Sequence, residues 1–472
     1  MQIDDAVWRL STILRKARSI KNHFAPINKI PPETLALAAT FLPTERDLID
    51  ATAVCQYWRA TLLYFPRLWH NPGGFTSELE AYLERSKPIP IKVDLSSPRL
   101  AASIIPHTSR LAALTVHVMD SSGFEEITKH LHDPIPTLRS LEICIRDPLH
   151  LLELPPGLDE GLFRHLYALS SNTVLSFHGP QTFPHITQLF LSVTVRPNRA
   201  AIILLNALEV LSGLVKVSII FREHWYTEIN FPRTVTLPCV QEIDLSAFGT
   251  ADGDEEAIPP ILQYLKLPKA TSVTLRSRFP PVANLSILPL ISFHEQLPNY
   301  VVLSELRIDT FPDSATFIFR SSSQAVLTYH SGDGLWDYKQ ERRLWGGLPL
   351  SSIRKVTAVL EGSISGREDA WLVRMLGDLG PLEVLDLGGY CGSVLQRLHR
   401  RLVRGAMRVD IKALIVHGGE YARDKTLKLE SAKDSLGLEN MTVFYILDPK
   451  VRDNVLKYDT SDGEVSDDDS FG

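Results

Sequence analysis

Residues 27–69 read INKIPPETLALAATFLPTERDLIDATAVCQYWRATLLYFPRLW, and the apolar spacing in this stretch predicts three short helices. The Pro31-Pro32 pair opens the first helix, because a first helical turn leaves the N–H that proline lacks unpaired in any case. Thr44 caps the second helix, with Asp47 three positions on as in a capping box. The apolar stripes of the three helices are Leu35, Leu37 and Leu42, then Leu48, Ile49, Ala51 and Val54, then Trp58, Leu62 and Phe65. Helices this short cannot bury all of these side chains among themselves, so we expect a partner to cover the rest.

The same stretch resembles an F-box. The pattern of that family runs Leu-Pro-Pro-Glu, a Phe-Leu-type pair, Arg-Asp-Leu and Val-Cys-x-x-Trp-Arg. The corresponding residues of this chain are Ile30-Pro31-Pro32-Glu33, Phe41-Leu42, Arg46-Asp47-Leu48 and Val54-Cys55-Gln56-Tyr57-Trp58-Arg59. The segments that follow also look like the F-box proteins that are abundant in mushroom-forming fungi; they are Phe65-Pro66-Arg67-Leu68-Trp69 and Tyr82-Leu83-Glu84-Arg85-Ser86.

This resemblance implies that residues 27–70 dock on the Skp-type adaptor of a cullin-RING ubiquitin ligase, and that the C-terminal domain presents a protein substrate. The chain is then expected to be a binding adaptor in the cytoplasm or nucleus, with no active site or cofactor of its own. Some residues of the motif hold the F-box's own core. By motif position, the residues that contact the Skp adaptor include Pro31, Pro32, Leu35, Leu42, Leu48, Val54, Cys55, Trp58 and Leu62.

Two small residues depart from the family pattern. Ala38 and Ala39 stand where larger residues are common. If both faced the adaptor, the two missing side chains would remove about 2–5 kcal/mol of apolar burial. Two other interpretations stay open: an ordinary helical subdomain packed on the rest of the chain, and a repeat scaffold that binds a protein partner outside any ligase.

The composition is that of a globular protein. The 472 residues are 44% hydrophobic and 22% charged, and a net charge of -6 is concentrated in residues 459–472, which carry six acidic residues and no Lys or Arg. We expect this tail to be disordered, with Ser461 and Ser466 as candidate phosphorylation sites. The rest of the chain is not basic, so nucleic acid is not an expected partner. Four widely spaced cysteines favour a reducing compartment over a disulfide framework or zinc site, and no apolar run is long enough to span a membrane.

The N-terminal residues 1–26 have the pattern of a basic amphipathic helix. Arg9, Arg15 and Lys16 alternate with an apolar side that includes Leu10 and Leu14. A mitochondrial transit peptide has this character, but Asp4 and Asp5 argue against one. The alternative is a helix that docks beside residues 27–70.

Beyond a linker helix in residues 71–90, a unit of the form apolar-x-x-apolar-x-apolar repeats through residues 91–458. It occurs at Leu111-Leu114-Val116, Leu138-Leu141-Ile143, Ile186-Leu189-Leu191, Leu214-Val217-Ile219, Val240-Ile243-Leu245, Ala270-Val273-Leu275, Leu303-Leu306-Ile308, Ile353-Val356-Ala358, Leu382-Leu385-Leu387 and Ile411-Leu414-Val416. Most intervals between middle residues are 26–33, at or slightly above those of leucine-rich repeats. Two intervals, of 48 and 50 residues, have room for one further unit each, with Val174-Phe177 and Val326-Tyr329 as candidates.

These repeats predict an α/β fold: an irregular leucine-rich-repeat-like solenoid with a parallel sheet, each strand followed by a loop and a helix. Helical spacing in Phe124–Leu131, Ala200–Leu211, Glu368–Leu379 and Val394–Val403 supports this arrangement. Met119 and Arg146 replace the asparagine of regular repeats, hence the irregularity. The residue between the two apolar positions of each strand should face a protein substrate; these residues are Thr115, Glu142, Phe190, Ser218, Asp244, Thr274, Arg307, Thr357, Asp386 and Ile415.

Three further segments each have two interpretations. The aromatic-rich loop 330–345 is either a recognition element or folds back on the repeats. The turn 385–393, with Gly388, Gly389 and Gly392, is either a nucleotide-binding turn, which would make the chain an enzyme, or an ordinary strand–helix connection. The arginines after it either bind an acidic partner or RNA or form a solvated outer helix, with the acidic tail as one intramolecular neighbour; they are Arg397, Arg400, Arg401, Arg404 and Arg408.

Overall fold

The structure is a computed structural model. The residues that it describes are 2–72, 78–131, 135–146, 152–154, 164–177, 183, 185–194, 197–222, 233–247, 260–277, 296–311, 314–331, 348–360, 366–404, 410–433, 436, 438 and 441–447. The protein is α/β with a large mixed sheet. Its chain divides into two compact units, Met1–Leu191 and Ser192–Gly472. The loop 332–345, Arg408 and the acidic tail lie outside the described residues.

The described α-helices are one N-terminal helix, three helices in residues 27–70, one helix before the first strand and six helices that follow strands. They are α1 (Gln2–Phe24), α2 (Pro32–Ala39), α3 (Glu45–Ala53), α4 (Gln56–Tyr64), α5 (Leu79–Arg85), α6 (Pro98–Ile104), α7 (Ser121–Thr128), α8 (Pro197–Val210), α9 (Gly366–Asp378), α10 (Gly392–Val403) and α11 (Glu420–Ala432). Short 3-10 turns occupy Pro26–Lys29, Pro66–Trp69, Ile105–Arg110, Pro260–Tyr264, Pro298–Tyr300 and Leu350–Ser352. The helices expected from spacing are therefore confirmed. No described helix combines the length and the apolar character that crossing a bilayer requires.

The strands of the first unit are β1 (Ile91–Leu95), β2 (Leu111–Val118), β3 (Ser140–Ile145), β4 (Leu152–Glu153), β5 (Ala168–Ser171), β6 (Leu175–Ser176) and β7 (Gln188–Val193), the last of which contains the boundary between the units. Five of them pair in parallel in the order β1-β2-β3-β5-β7. The buried middle residues of the repeat, Val93, Leu114, Leu141, Leu169 and Leu189, are in register across this sheet.

The first long interval contains an extra unit, but not at the predicted residues. The added strand of the main sheet is β5, centred on Leu169, and it pairs with β3 and β7. The proposed Val174-Phe177 unit instead supplies β6, which pairs only with the short β4 within the described residues. The pattern was missed because Ser171, which is 2% exposed, takes the place of the third apolar residue.

The strands of the second unit are β8 (Lys216–Phe221), β9 (Val235–Thr236), β10 (Glu242–Ala247), β11 (Leu265–Lys266), β12 (Ser272–Ser277), β13 (Leu303–Phe311), β14 (Ser314–Ser321), β15 (Val326–Ser331), β16 (Lys355–Leu360), β17 (Leu382–Gly389), β18 (Ile411–Gly418) and β19 (Thr442–Leu447). The order in the main sheet is β8-β10-β12-β15-β14-β13-β16-β17-β18-β19, and β9 pairs with β11 separately.

The expectation of a purely parallel sheet is wrong at one place. The strand β14 runs antiparallel to both β13 and β15, so these three strands form a meander inserted in reverse order. As a result β15, not β13, pairs with β12, and β13 pairs with β16. The Val326-Tyr329 unit predicted for the second long interval is present as β15, in register with β12.

The helix α1 does not dock through its apolar side. Among its residues, Trp8, Leu10, Ile13 and Ile20 are 60% or more exposed. The expectation that α1 packs beside the following helices is therefore wrong for these side chains.

Candidate functional site

The helices α2–α4 have a small core of their own, closed by a tryptophan that follows them. Leu35, Leu48 and Leu62, one from each helix, are 6% exposed or less, and Trp69 is fully buried against them. This core explains why such short helices hold together, because each contributes its apolar stripe to one cluster.

Side-chain hydrogen bonds fix how the helices begin and end. Thr44 and Asp47 form the predicted capping box, with the Asp47 N–H donating to Thr44 Oγ1 at 3.2 Å and the Thr44 N–H donating to Asp47 Oδ2 at 3.1 Å. The Trp69 indole Nε1–H donates to the Leu62 carbonyl oxygen at 2.9 Å. Pro66 follows α4 and has no N–H to continue it, so the indole satisfies a carbonyl that the helix leaves open.

The residue Tyr82 links α5 to this core. Its ring meets the Trp69 ring edge-on with centroids 4.9 Å apart, and Arg85 lies 4.5 Å above the same Trp69 ring. Burial, assisted by the negative charges of Glu45 and Glu78, raises the pKa of the Tyr82 hydroxyl to about 12. The hydroxyl therefore stays protonated and structural at neutral pH.

Five large apolar side chains of the same helices and their ends are left exposed; we call them the exposed apolar set. They are Leu37, Phe41, Leu42, Val54 and Tyr64, with exposed fractions of 61%, 80%, 36%, 58% and 81%. Aromatic and aliphatic side chains exposed in this number on so small a unit are typical of a protein-binding surface.

The predicted adaptor contacts separate into two classes in the structure. Pro31, Pro32, Leu42 and Val54 are exposed, and Cys55 and Trp58 are half-buried. Leu35, Leu48 and Leu62 belong to the helical core, so the structure corrects their assignment from contact residues to core residues.

The sequence reasoning misassigned or missed three members of the exposed apolar set. It placed Leu37 on the buried stripe of α2, whereas Leu35 and Ala36 are the buried residues there. Phe41 belongs to the Phe-Leu pair of the motif but not to the predicted contact residues, and no sequence pattern singles out Tyr64. The available signal was the four-residue spacing of Leu37 and Phe41, which places both on one side of the helix end. Of the two small residues, Ala38 is exposed and Ala39 packs against the core, so only Ala38 lies at the surface.

The second surface is the open face of the sheet, formed by the residues between the two buried positions of each strand. In the first unit Thr115 is in register with Glu142, and Ser170 lies between Glu142 and Phe190. All of these are half-buried or exposed, in contrast to the buried residues on either side of them.

In the second unit the same row is continuous on both sides of the meander. On one side Ser218, Asp244, Thr274 and Thr328 are in register. On the other, Arg307, Thr357, Asp386, Ile415 and Phe444 are in register. The structure therefore brings the predicted substrate-face residues into rows, and it adds Ser170, Thr328 and Phe444, which the repeat pattern had not included.

Contacts between basic and acidic side chains cross the open face of the second unit. Arg276 contacts Asp244 at 3.2 Å, and His417 contacts Asp386 at 3.3 Å. His330 Nδ1 lies 2.8 Å from Thr316 Oγ1. Burial, and then the positive charge of Arg276, lowers the pKa of His330, so this imidazole is neutral at pH 7. Exposed pairs of this kind contribute little stability but set which charges a ligand meets.

On the open face of the first unit, Cys144 lies two residues from Glu142 on β3. The Cys144 Sγ is 3.8 Å from Glu142 Oε1. Burial first, and then the Glu142 carboxylate, raise the pKa of the Cys144 thiol to about 11. Since the thiolate is the reactive form, Cys144 is not an activated nucleophile.

The glycine-rich turn after β17 has a backbone explanation. Gly389 has a φ of 75°, and a Cβ added there would lie 2.1 Å from the Leu360 carbonyl oxygen. That carbonyl accepts from the Tyr390 N–H at 2.9 Å. A glycine is therefore needed at position 389, because any side chain there would collide with the end of β16, which lies close to the turn. Among the described residues no group of three or more His, Cys, Asp or Glu side chains could hold a metal ion.

Comparison with models of known protein families gives no match to this chain, and no curated protein matches its sequence.

Proposed function

We propose that the protein is a substrate-recognition adaptor of a Skp-cullin-F-box-type ubiquitin ligase. In this proposal α2–α4 dock on the Skp-type adaptor, and the open face of the sheet presents a protein substrate. The observation that carries the proposal is the exposed apolar set, together with the F-box-like motif that produces it. A domain that served only as packing for the rest of the chain would turn Leu37, Phe41 and Val54 inward.

The mechanism of such an adaptor is proximity. Holding a substrate on the same assembly as a charged ubiquitin-conjugating enzyme raises the local concentration of substrate lysines near the thioester. This chain then supplies two binding surfaces and no catalytic group. The open face of the second unit, with its mixture of Asp244, Arg307 and Phe444, suits a protein ligand, because both signs of charge and an exposed aromatic ring are present.

A second candidate function is a ligase-independent repeat scaffold. One observation favours it: the exposed Ala38 leaves a small residue between Leu37 and Phe41 where the resemblance leads one to expect a larger side chain. The resulting loss of apolar area weakens docking on a Skp-type adaptor.

The test is a binding measurement between the full chain and the Skp-type adaptor of its own source. We expect Phe41→Ala to weaken binding by about 10- to 100-fold, because a fully covered Phe side chain is worth about 1.5–3 kcal/mol. Since Phe41 is 80% exposed in the free chain, its replacement should leave the thermal unfolding temperature unchanged. Tyr167→Ala is the matched control: Tyr167 is an exposed aromatic residue of the first unit outside α2–α4.

A gain-of-binding variant distinguishes the two candidates. Ala38→Ile restores the apolar area and should tighten adaptor binding. If the wild-type chain does not bind the adaptor and Ala38→Ile does, the result supports the ligase-independent scaffold as the function of the natural sequence. If neither binds, or if Phe41→Ala and Tyr167→Ala have equal effects, docking through the exposed apolar set is wrong.

A further inference from the structure

A basic cleft lies between α10 and α11, in a part of the second unit that the proposed function does not use. It has a volume of about 140 Å³ and is lined by Gln396, His399, Arg400, Lys425 and Lys428. We call it the basic cleft. Its lining residues are all polar or charged, and three of them are Arg or Lys.

The repeat architecture produces this cleft. The helices α10 and α11 follow the adjacent parallel strands β17 and β18, so they lie side by side on the same sheet. In α10 the inward side is Val394, Leu395, Leu398 and Leu402, which leaves residues 396, 399 and 400 on the flank. In α11 the buried residues are Ala422, Thr426 and Leu429, which leaves residues 425 and 428 on the facing flank.

The charge balance of the cleft is positive. The sequence of α10 contains Arg397, Arg400 and Arg401 and no Asp or Glu. On α11, Asp424 contacts Lys428 at 3.0 Å and offsets part of the charge. The lining includes Arg400, Lys425 and Lys428 and no Asp or Glu, so it attracts an anionic ligand. Because these side chains come from two helices, they favour an extended ligand over a single ion.

We propose that the basic cleft binds the acidic C-terminal segment of the same chain, residues 459–472. This segment carries six acidic residues and no Lys or Arg, so its charge is complementary to the cleft. The last described strand, β19, ends at Leu447 and packs against α11, one of the two helices that form the cleft. Residues 448–458 span up to about 36 Å when extended, which exceeds the separation of two packed helices several-fold.

The test uses the full chain and a fluorescent peptide with the sequence of residues 459–472. Two chains are compared by fluorescence anisotropy at low salt: the wild type, and a neutral-tail chain carrying D459N, D462N, E464Q, D467N, D468N and D469N. The neutral-tail chain should bind the peptide. The wild type should bind it at least about tenfold more weakly, because its own tethered tail competes at an effective concentration of about a millimolar.

A matched pair of double variants locates the site. In the neutral-tail chain, R400S/K428S should weaken peptide binding about fivefold, the combined worth of two exposed ion pairs. R404S/R423S removes the same charge from the ends of the same two helices outside the cleft lining and should change binding less. Conversely, R400E/K428E should bind a peptide in which the six acidic residues are replaced by lysine.

Three results overturn the proposal. The first is equal peptide affinity for the wild-type and neutral-tail chains, which shows that the tail does not occupy the site. The second is an equal loss in the cleft and control double variants, which shows attraction to general positive charge. The third is binding of a ten-nucleotide oligouridine RNA in place of the peptide.

Discussion

Replacement of each of two tryptophans of the first unit by phenylalanine should change stability by very different amounts. The Trp69 indole donates to the Leu62 carbonyl oxygen at 2.9 Å, and it replaces the N–H that Pro66 lacks. The Trp58 indole Nε1 is buried and has no hydrogen-bond partner within the described part of the chain. Trp→Phe at each position removes the same atoms and keeps an aromatic ring, so the difference between the two variants reports the indole hydrogen bond.

The expected magnitudes follow from burial. Leu62 and Trp69 are both 0% exposed, so water cannot take over the bond that Trp69→Phe removes. An orphaned buried carbonyl costs about 1–3 kcal/mol. The smaller ring in a fully buried site adds about 1 kcal/mol. We therefore expect about 2–4 kcal/mol for Trp69→Phe and a change within about 1 kcal/mol for Trp58→Phe, which loses some packing but removes an unsatisfied donor.

Native-state hydrogen exchange of the full chain measures this locally, without assuming that the two units unfold together. Backbone amides of residues 56–64 should exchange about 30- to 1000-fold faster in Trp69→Phe and at nearly the wild-type rate in Trp58→Phe. Equal acceleration in both variants would show that ring size, and not the hydrogen bond, governs this core. Unchanged exchange in Trp69→Phe would refute the role assigned to the indole.

Three further predictions concern the strands and turns. Gly389→Ala should lower the thermal unfolding temperature and the soluble yield, because its added Cβ lies 2.1 Å from a carbonyl oxygen, whereas Gly388→Ala, with its nearest contact at 3.9 Å, should be tolerated. Because the pKa of Cys144 is raised to about 11, its alkylation by iodoacetamide should stay slow at pH 9 and accelerate only as the pH approaches 11. Glu142→Gln removes a charge that opposes the thiolate and should speed that reaction at pH 9; an unchanged rate would show that the Glu142 charge does not raise the pKa of the Cys144 thiol. Asn172→Ala should destabilise the first unit by about 1–3 kcal/mol in chemical denaturation, because its amide pairs with the N–H and carbonyl of one residue of β3 at 2.7 and 2.6 Å; a variant as stable as the wild type would contradict this.

The strand positions could be predicted because each repeat carries its own local signal. Leu114, Leu141 and Leu189 mark strands wherever a buried pair alternates with an open residue, and the same alternation gives the register. The reversed meander carried no such signal. Phe317 and Phe319 of β14 alternate as a parallel repeat strand would, and only pairing with distant strands fixes its direction.

The segment that contains the exposed apolar set could be predicted from the sequence, but the individual side chains of the set could not. The helical period shows that Leu35 and Leu37 point in different directions, and the sequence does not say which of them meets Leu48 and Leu62. That choice depends on how the three helices pack, which is a tertiary property. The sequence predicted the basic side chains of α10. That the lysines of α11 lie beside them and complete the lining of the basic cleft follows only from the structure.

The reversed meander also has a consequence for how the second unit is made. In a simple repeat array each new strand covers the open edge of the one before it as soon as it leaves the ribosome. Here the edge of β12 stays unpaired while β13 and β14 are synthesised, until β15 is complete at Ser331. An open strand edge is a template for pairing with another chain. The nascent sheet is therefore exposed to aggregation at the edge of β12 during this interval, and slow translation between Ser277 and Ser331 prolongs it.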